Sequence, residues 1–202
     1  MKYILIIVAI LLIFFSFNNK ETHIKTLTPQ DSILAFGDSL TYGYNANQGE
    51  SYPAVLNRLS GLNVINAGIP AESSKDGLRR LAKLLEDKRI KLMILFFGGN
   101  DMIQGLSTEG LKKNLKTMIH MAKQKQIEVL LITVPNLSFF GFSPLELYEE
   151  VAEEENIPLL SGVLTDILSQ PLLKSDQVHP NALGYKKMAD EIYNSLEENG
   201  WV

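Results

Sequence analysis

Along the chain, an unbroken apolar start gives way to strand-length apolar runs that alternate with amphipathic segments. The runs are Ser32 to Phe36, Asn63 to Asn66, Leu92 to Phe97, Val129 to Val134 and a short one at Pro158 to Leu160. The third and fourth are apolar throughout, as strands covered on both faces should be. Helical patterning falls at residues 51–60, 73–87, 108–125, 143–156 and 180–197. In the second of these, Leu78, Leu81, Leu84 and Leu85 recur at helical spacing; in the third, Leu111, Leu115, Met118, Ile119 and Ala122 share a face. Ser143-Pro144 reads as a cap and first-turn proline for the fourth helix, and Pro180 as the first turn of the last. The alternation predicts an α/β domain, a three-layer α/β/α sandwich that binds ligands where the loops cluster at the carboxyl ends of its strands.

The apolar start lies outside that domain. Met1-Lys2 followed by Tyr3 to Phe17 has the charged beginning and hydrophobic middle of an export signal. Residues 1–19 are therefore read as a signal anchor or signal peptide, 20–30 as a polar tether and 31–202 as the folded domain. Ser16-Phe17-Asn18-Asn19 at the end of the run offers no small-x-small cleavage pair, which favours an uncleaved anchor. The run is shorter than the roughly 20 residues that comfortably cross a bilayer, which keeps a cleaved signal open. Both readings put the domain on the extracytoplasmic side of a cell envelope, secreted or held to the membrane by this segment.

Composition narrows the chemistry. A net charge of −4, with Lys and Arg scattered among acids, offers no phosphate-neutralising stripe and argues against nucleic acid as a partner. The absence of cysteine excludes disulfides, a thiol nucleophile and Cys-ligated zinc. Histidines 23, 120 and 179 are too far apart to suggest a metal site, and no cofactor is expected. His23 lies in the tether; His120, within an amphipathic helix, reads as an ordinary surface or half-buried residue.

The residues that follow the strands carry the candidate chemistry. They are Gly37-Asp38-Ser39-Leu40-Thr41, Ala67-Gly68-Ile69-Pro70-Ala71-Glu72-Ser73, Gly98-Gly99-Asn100-Asp101 and, before the last helix, Ser175-Asp176-Gln177-Val178-His179-Pro180. Ser39 needs a base to take its proton as it attacks, and His179 can serve. Asp176, three residues earlier, can hold the imidazole tautomer and stabilise its cation. Asn100 offers a side-chain amide, and Ser39 and the Gly68 to Ala71 loop offer backbone N–H groups, to an oxygen that becomes negative. Asp38 and Asp101 read as local hydrogen-bonding residues that stiffen their loops.

The blocks Gly37-Asp38-Ser39-Leu40, Asn66-Ala67-Gly68-Ile69, Gly98-Gly99-Asn100-Asp101 and Asp176-x-x-His179-Pro180 resemble the four signature blocks of the SGNH hydrolases, or GDSL esterases. The chain is most similar to the bacterial thioesterase I, lysophospholipase and arylesterase subgroup. The resemblance runs from residue 31 onward and implies a flavodoxin-like parallel five-stranded sheet and metal-free hydrolysis of esters or thioesters. It also implies Ser39 as nucleophile, His179 as base, Asp176 as its partner and Asn100 as oxyanion donor. Where the family's second block carries a second glycine, as backbone oxyanion donor, this chain has Ala71. Alanine keeps the N–H but disfavours positive φ.

For the substrate, the apolar loop Pro135 to Phe142 and the residues after Asn100 suggest an acyl groove involving Met102, Leu106, Leu137, Phe139 and Phe140. The expected partner is a small-molecule or lipid ester with a hydrophobic acyl group. Three alternatives stay open: a cell-envelope carbohydrate O-acetyl esterase, a non-catalytic binding module suggested by Ala71, and a protein whose apolar loop docks a partner.

Overall fold

The computed structural model describes residues 26–202 except 139, 140 and 144. The apolar run at 3–17, most of the tether, His23, Phe139 and Phe140 lie outside the described residues. No helix among the described residues is long and apolar enough to cross a membrane.

Five parallel strands form the central sheet, in spatial order β2 (Asn63–Gly68), β1 (Ser32–Gly37), β3 (Ile90–Phe96), β4 (Glu128–Ile132) and, last, Leu159–Leu160. This is the order of a flavodoxin-like doubly wound sheet, as the resemblance implied. β1 is buried at every position and β3 at all but Lys91, because helices cover both of their faces. The edge strand β2 is partly exposed and is accordingly the least apolar of the long strands.

The helices divide between the two faces. The short α1 (Ser39–Tyr42) follows β1, and α2 (Tyr52–Ser60) leads to β2. Then come α3 (Ser74–Leu84), the short α4 (Gly99–Ile103), α5 (Thr108–Gln124), α6 (Leu147–Glu155), α7 (Val163–Leu168) and α8 (Ala182–Glu198). In one layer α2 and α7 pack against α8; in the other α3 packs against α5, and α5 against α6. The predicted stripe of α5, Leu111, Leu115, Met118, Ile119 and Ala122, is its buried face. Each of its larger aliphatic side chains contributes about 1.5–3 kcal/mol when fully buried.

Three expectations are corrected. Ser143 does not start a helix: Gly141–Ser143 (β6) pairs antiparallel with Asn136–Ser138 (β5), and α6 begins only at Leu147. The last strand, Leu159–Leu160, is therefore β7. Pro180 is not in α8: it bridges to Lys174, and the helix starts at Ala182, where the Asn181 side chain accepts from the Gly184 N–H. α7 and the 3-10 turn at Pro171–Leu173 fall in a stretch for which the patterning predicted no element, each being too short to show a period.

Register sets up the site. Gly37 is level with Gly68 on one side and with Phe96 on the other, so the loops after β1, β2 and β3 leave the sheet together.

Candidate active site

At the end of β1 the chain turns sharply into α1. Asp38 caps that helix, its side chain accepting from the Leu40 N–H at 3.0 Å, and this presents Ser39 at the first helical position. The turn depends on two close approaches. A Cβ on Gly37 would lie 2.2 Å from the Thr41 hydroxyl oxygen, and one on Gly68 would lie 2.1 Å from the Tyr42 nitrogen. Glycine alone lets β2 and the third strand's carbonyl crowd against the serine turn.

His179 arrives from the other end of the chain. The bridge between Lys174 and Pro180 closes a tight turn in which the Ser175 N–H donates to His179 O at 2.9 Å. Within that turn one Asp176 oxygen accepts from the Val178 and His179 N–H groups, both at 2.8 Å. The other lies 2.8 Å from His179 Nδ1 and also accepts from Asn45 Nδ2 at 2.9 Å. His179 Nε2 is 3.1 Å from Ser39 Oγ. With the Nδ1 proton directed to the carboxylate, Nε2 is the acceptor facing the serine hydroxyl. Partial burial raises the Asp176 pKa, but the Val178 N–H, the His179 ring and the His179 N–H outweigh it and hold the carboxyl below its ordinary value. It therefore stays ionised beside the His179 imidazole.

Asn100 sits in the short α4 and donates from Nδ2 to Asp38 at 3.1 Å, while Gly99 and Asn100 line the same pocket as Ser39 and His179. Gly98, at φ +134°, makes this turn possible: a Cβ there would lie 2.0 Å from the Tyr148 hydroxyl, which donates to Phe97 O at 2.7 Å. Ala71 adopts φ +64°. An alanine in the left-handed region costs about 1–2 kcal/mol, so the conformation that favours glycine is kept despite the substituted residue. Among the described residues, neither the Ser39 nor the Ala71 N–H is spent on another acceptor.

The two aspartates do more than stiffen their own loops, which corrects the expectation for them. Asp38, 1% exposed, joins the β1 turn to Asn100, and desolvation pushes its carboxyl up to about 7 despite the donors at Leu40 and Asn100. Asp101 accepts from the Ser74 N–H at 2.8 Å and from the Ser74 hydroxyl, tying the third loop to the start of α3. His120 pairs with Glu155 at 2.9 Å on the helical layer, outside the site.

A cavity of about 70 Å³ opens beside Ser39, with Leu40, Ile103, Val134, Leu164, Leu168 and Val178 as its apolar walls. Of the residues proposed from sequence for substrate contact, Met102 packs against the core and Leu106 is exposed on the surface, neither lining this cavity. Leu137 lies on β5, but its side chain is outside the described set, as are Phe139 and Phe140. Leu164 and Leu168, on a helix the patterning did not reveal, carried no signal of a site. Tyr44, whose ring lies 4.7 Å from that of His179, and Asn45 at φ +63° were likewise missed.

The profile of the GDSL-like lipase/acylhydrolase family matches residues 35–187. The chain belongs to this family. It is 29% identical over 176 residues to thioesterase 1/protease 1/lysophospholipase L1 of Escherichia coli K12, covering 83% of this chain and 84% of that protein. The esterase EstA of Pseudoalteromonas sp. superposes with a TM-score of 0.75 at 25% identity, over 83% of this chain and 97% of its own. AlinE4, an SGNH-hydrolase family esterase, is 30% identical with a TM-score of 0.65, over 86% and 98%. With esterase-named relatives across nearly its whole domain, this GDSL-family chain is an ester hydrolase, and the readings as a binding module or docking protein are not favoured.

Proposed function

We propose that Ser39, His179 and Asp176 hydrolyse carboxylic esters or thioesters through an acyl-enzyme, with Asn100 Nδ2 and the N–H groups of Ser39 and Ala71 as the oxyanion donors. The observation that carries this reading is the hydrogen-bonded chain from Ser39 Oγ through both His179 nitrogens to Asp176, at 3.1 and 2.8 Å, beside an apolar cavity. Ser39 Oγ bonds to the carbonyl carbon as its proton passes to His179 Nε2. The carbonyl oxygen becomes negative opposite the donors. Collapse breaks the ester bond, and the leaving oxygen or sulfur takes the proton from Nε2. Water then repeats the sequence on the acyl-enzyme and releases the acid.

The apolar cavity walls support a hydrophobic acyl group, as in a lysophospholipase-, arylesterase- or thioesterase-like activity. The test is hydrolysis of p-nitrophenyl acetate, butyrate, octanoate and palmitate by wild type and Ser39→Ala. Activity that is lost in the variant and extends to acyl chains longer than acetate is expected. Full activity of Ser39→Ala would end the reading, and an optimum confined to acetate would replace the hydrophobic acyl group with an acetyl one.

We also propose an extracytoplasmic location, with the apolar run at 3–17 as export signal or membrane anchor and the domain beginning near residue 31. The support is the sequence alone: a charged start, an apolar middle and a polar continuation. Fractionating cells that express the full chain distinguishes the outcomes: activity in the membrane fraction for an anchor, soluble outside the cytoplasm for a cleaved signal, and cytoplasmic if the proposal is wrong.

A further inference from the structure

We propose that Arg80 and Glu72 form a positioning clamp that holds Ala71 in its left-handed conformation and so keeps its N–H in the oxyanion site. The inference rests on the acyl-transfer reading above and concerns how this particular chain manages with alanine at that position.

Arg80 lies two turns into α3 and reaches back to the loops. Its Nε donates to both Glu72 carboxylate oxygens, at 3.0 and 2.8 Å, and its Nη2 is 2.6 Å from the second of them. Nη2 also donates to Ala67 O at 2.9 Å and to Gly37 O at 3.2 Å. The guanidinium stacks on the Phe36 ring, 4.6 Å from its centroid. Both charged side chains are largely shielded from water, at 23% and 15% exposed, so the pair is screened far less than a surface ion pair.

The acceptors are placed where they constrain both backbone donors. Gly37 is two residues before Ser39, Ala67 directly precedes Gly68, and Glu72 directly follows Ala71. A single planar cation therefore fixes the ends of β1 and β2 relative to each other and pins the residue next to Ala71. Glu72 is held from the other side by its position before the capping box of Ser73 and Asp76. A non-glycine residue at positive φ persists only where its surroundings over-determine it, and these bonds are such surroundings. With glycine in place of Ala71 the same conformation would need little external hold.

That difference gives a test which a general loss of stability does not mimic. kcat and KM for p-nitrophenyl butyrate are measured for wild type, Glu72→Gln, Ala71→Gly and the double variant, and Arg80→Lys is taken through the same cycle. Thermal unfolding identifies any variant that is not folded, and the Arg80→Lys cycle stands in where Glu72→Gln fails. Each clamp variant should lose about tenfold in kcat, equivalent to 1.4 kcal/mol, with KM changed less than about twofold. In the Ala71→Gly background, the same substitution should cost less than about threefold. Equal losses in the two backgrounds, or a loss confined to KM, would overturn the clamp. Full activity of Ser39→Ala would instead remove the acyl-transfer reading and this proposal with it, so the two failures are distinct.

Discussion

Replacing Asp38 with asparagine should make the protein more stable and the enzyme slower, and the stability gain should grow with pH. Asp38 is 1% exposed and burial pushes its carboxyl from 3.8 to about 7. Because the folded state holds that proton more tightly than the unfolded chain does, stability due to this group is present below about pH 4 and is lost as pH rises to about 7. A shift of about three pH units corresponds to about 4 kcal/mol as an upper limit. Asparagine has nearly the same shape and carries no charge to desolvate. Its Oδ1 can still accept from the Leu40 N–H, but its amide would then face the Nδ2 of Asn100, donor against donor. Turning the Asn100 amide over relieves that clash and presents an acceptor where a donor is needed, so kcat should fall toward the roughly 10²–10³ loss of an oxyanion donor. Urea unfolding of both proteins at pH 5 and pH 8.5 reads the first effect. The advantage of the variant should be about 1–3 kcal/mol larger at pH 8.5 than at pH 5, where only the first part of the loss has occurred. An advantage that is independent of pH, or that shrinks as pH rises, would rule out a desolvated carboxyl as its cause.

On the proposed oxyanion role, Asn100→Ala should lose about 10²–10³ in kcat with little change in KM, since a donor to an oxygen that is negative only after attack acts in the transition state. In Asp176→Asn the oxygen that accepts from the His179 ring can be replaced by a donor, favouring the wrong imidazole tautomer; kcat should fall by about 10³–10⁴ while thermal unfolding changes little. Gly98→Ala, which puts a methyl group 2.0 Å from the Tyr148 hydroxyl at φ +134°, should destabilise the fold by about 2–4 kcal/mol in urea unfolding.

The sheet was legible because strands covered on both faces leave unbroken apolar runs, as at Ile33 to Phe36 and Leu92 to Phe97. The gathering of the four loops was legible because strands that run parallel all end on one side. Ser143 misled because a serine followed by proline has the local chemistry of a helix cap, whereas pairing of Leu137 with Phe142 decided its conformation. Pro180 misled in the same way: its bridge to Lys174 is a tertiary choice with no periodic trace. The carboxylate of Asp38 and the guanidinium of Arg80 act through partners 62 and 43 residues away in the chain, and such bonds leave no mark on hydrophobic spacing. Leu164 and Leu168 look like ordinary core leucines until α7 is seen to form a wall of the cavity.

The Leu27 N–H donates to Trp201 O, so the two ends of the described chain meet just before β1 begins. Ser39 lies past the far end of that six-residue strand, roughly 20 Å away. Thr26, the first described residue, therefore lies at the end of the sheet opposite the catalytic loops. Grafting the enzyme to a surface through its N-terminal side should therefore leave its kinetics on small soluble esters unchanged.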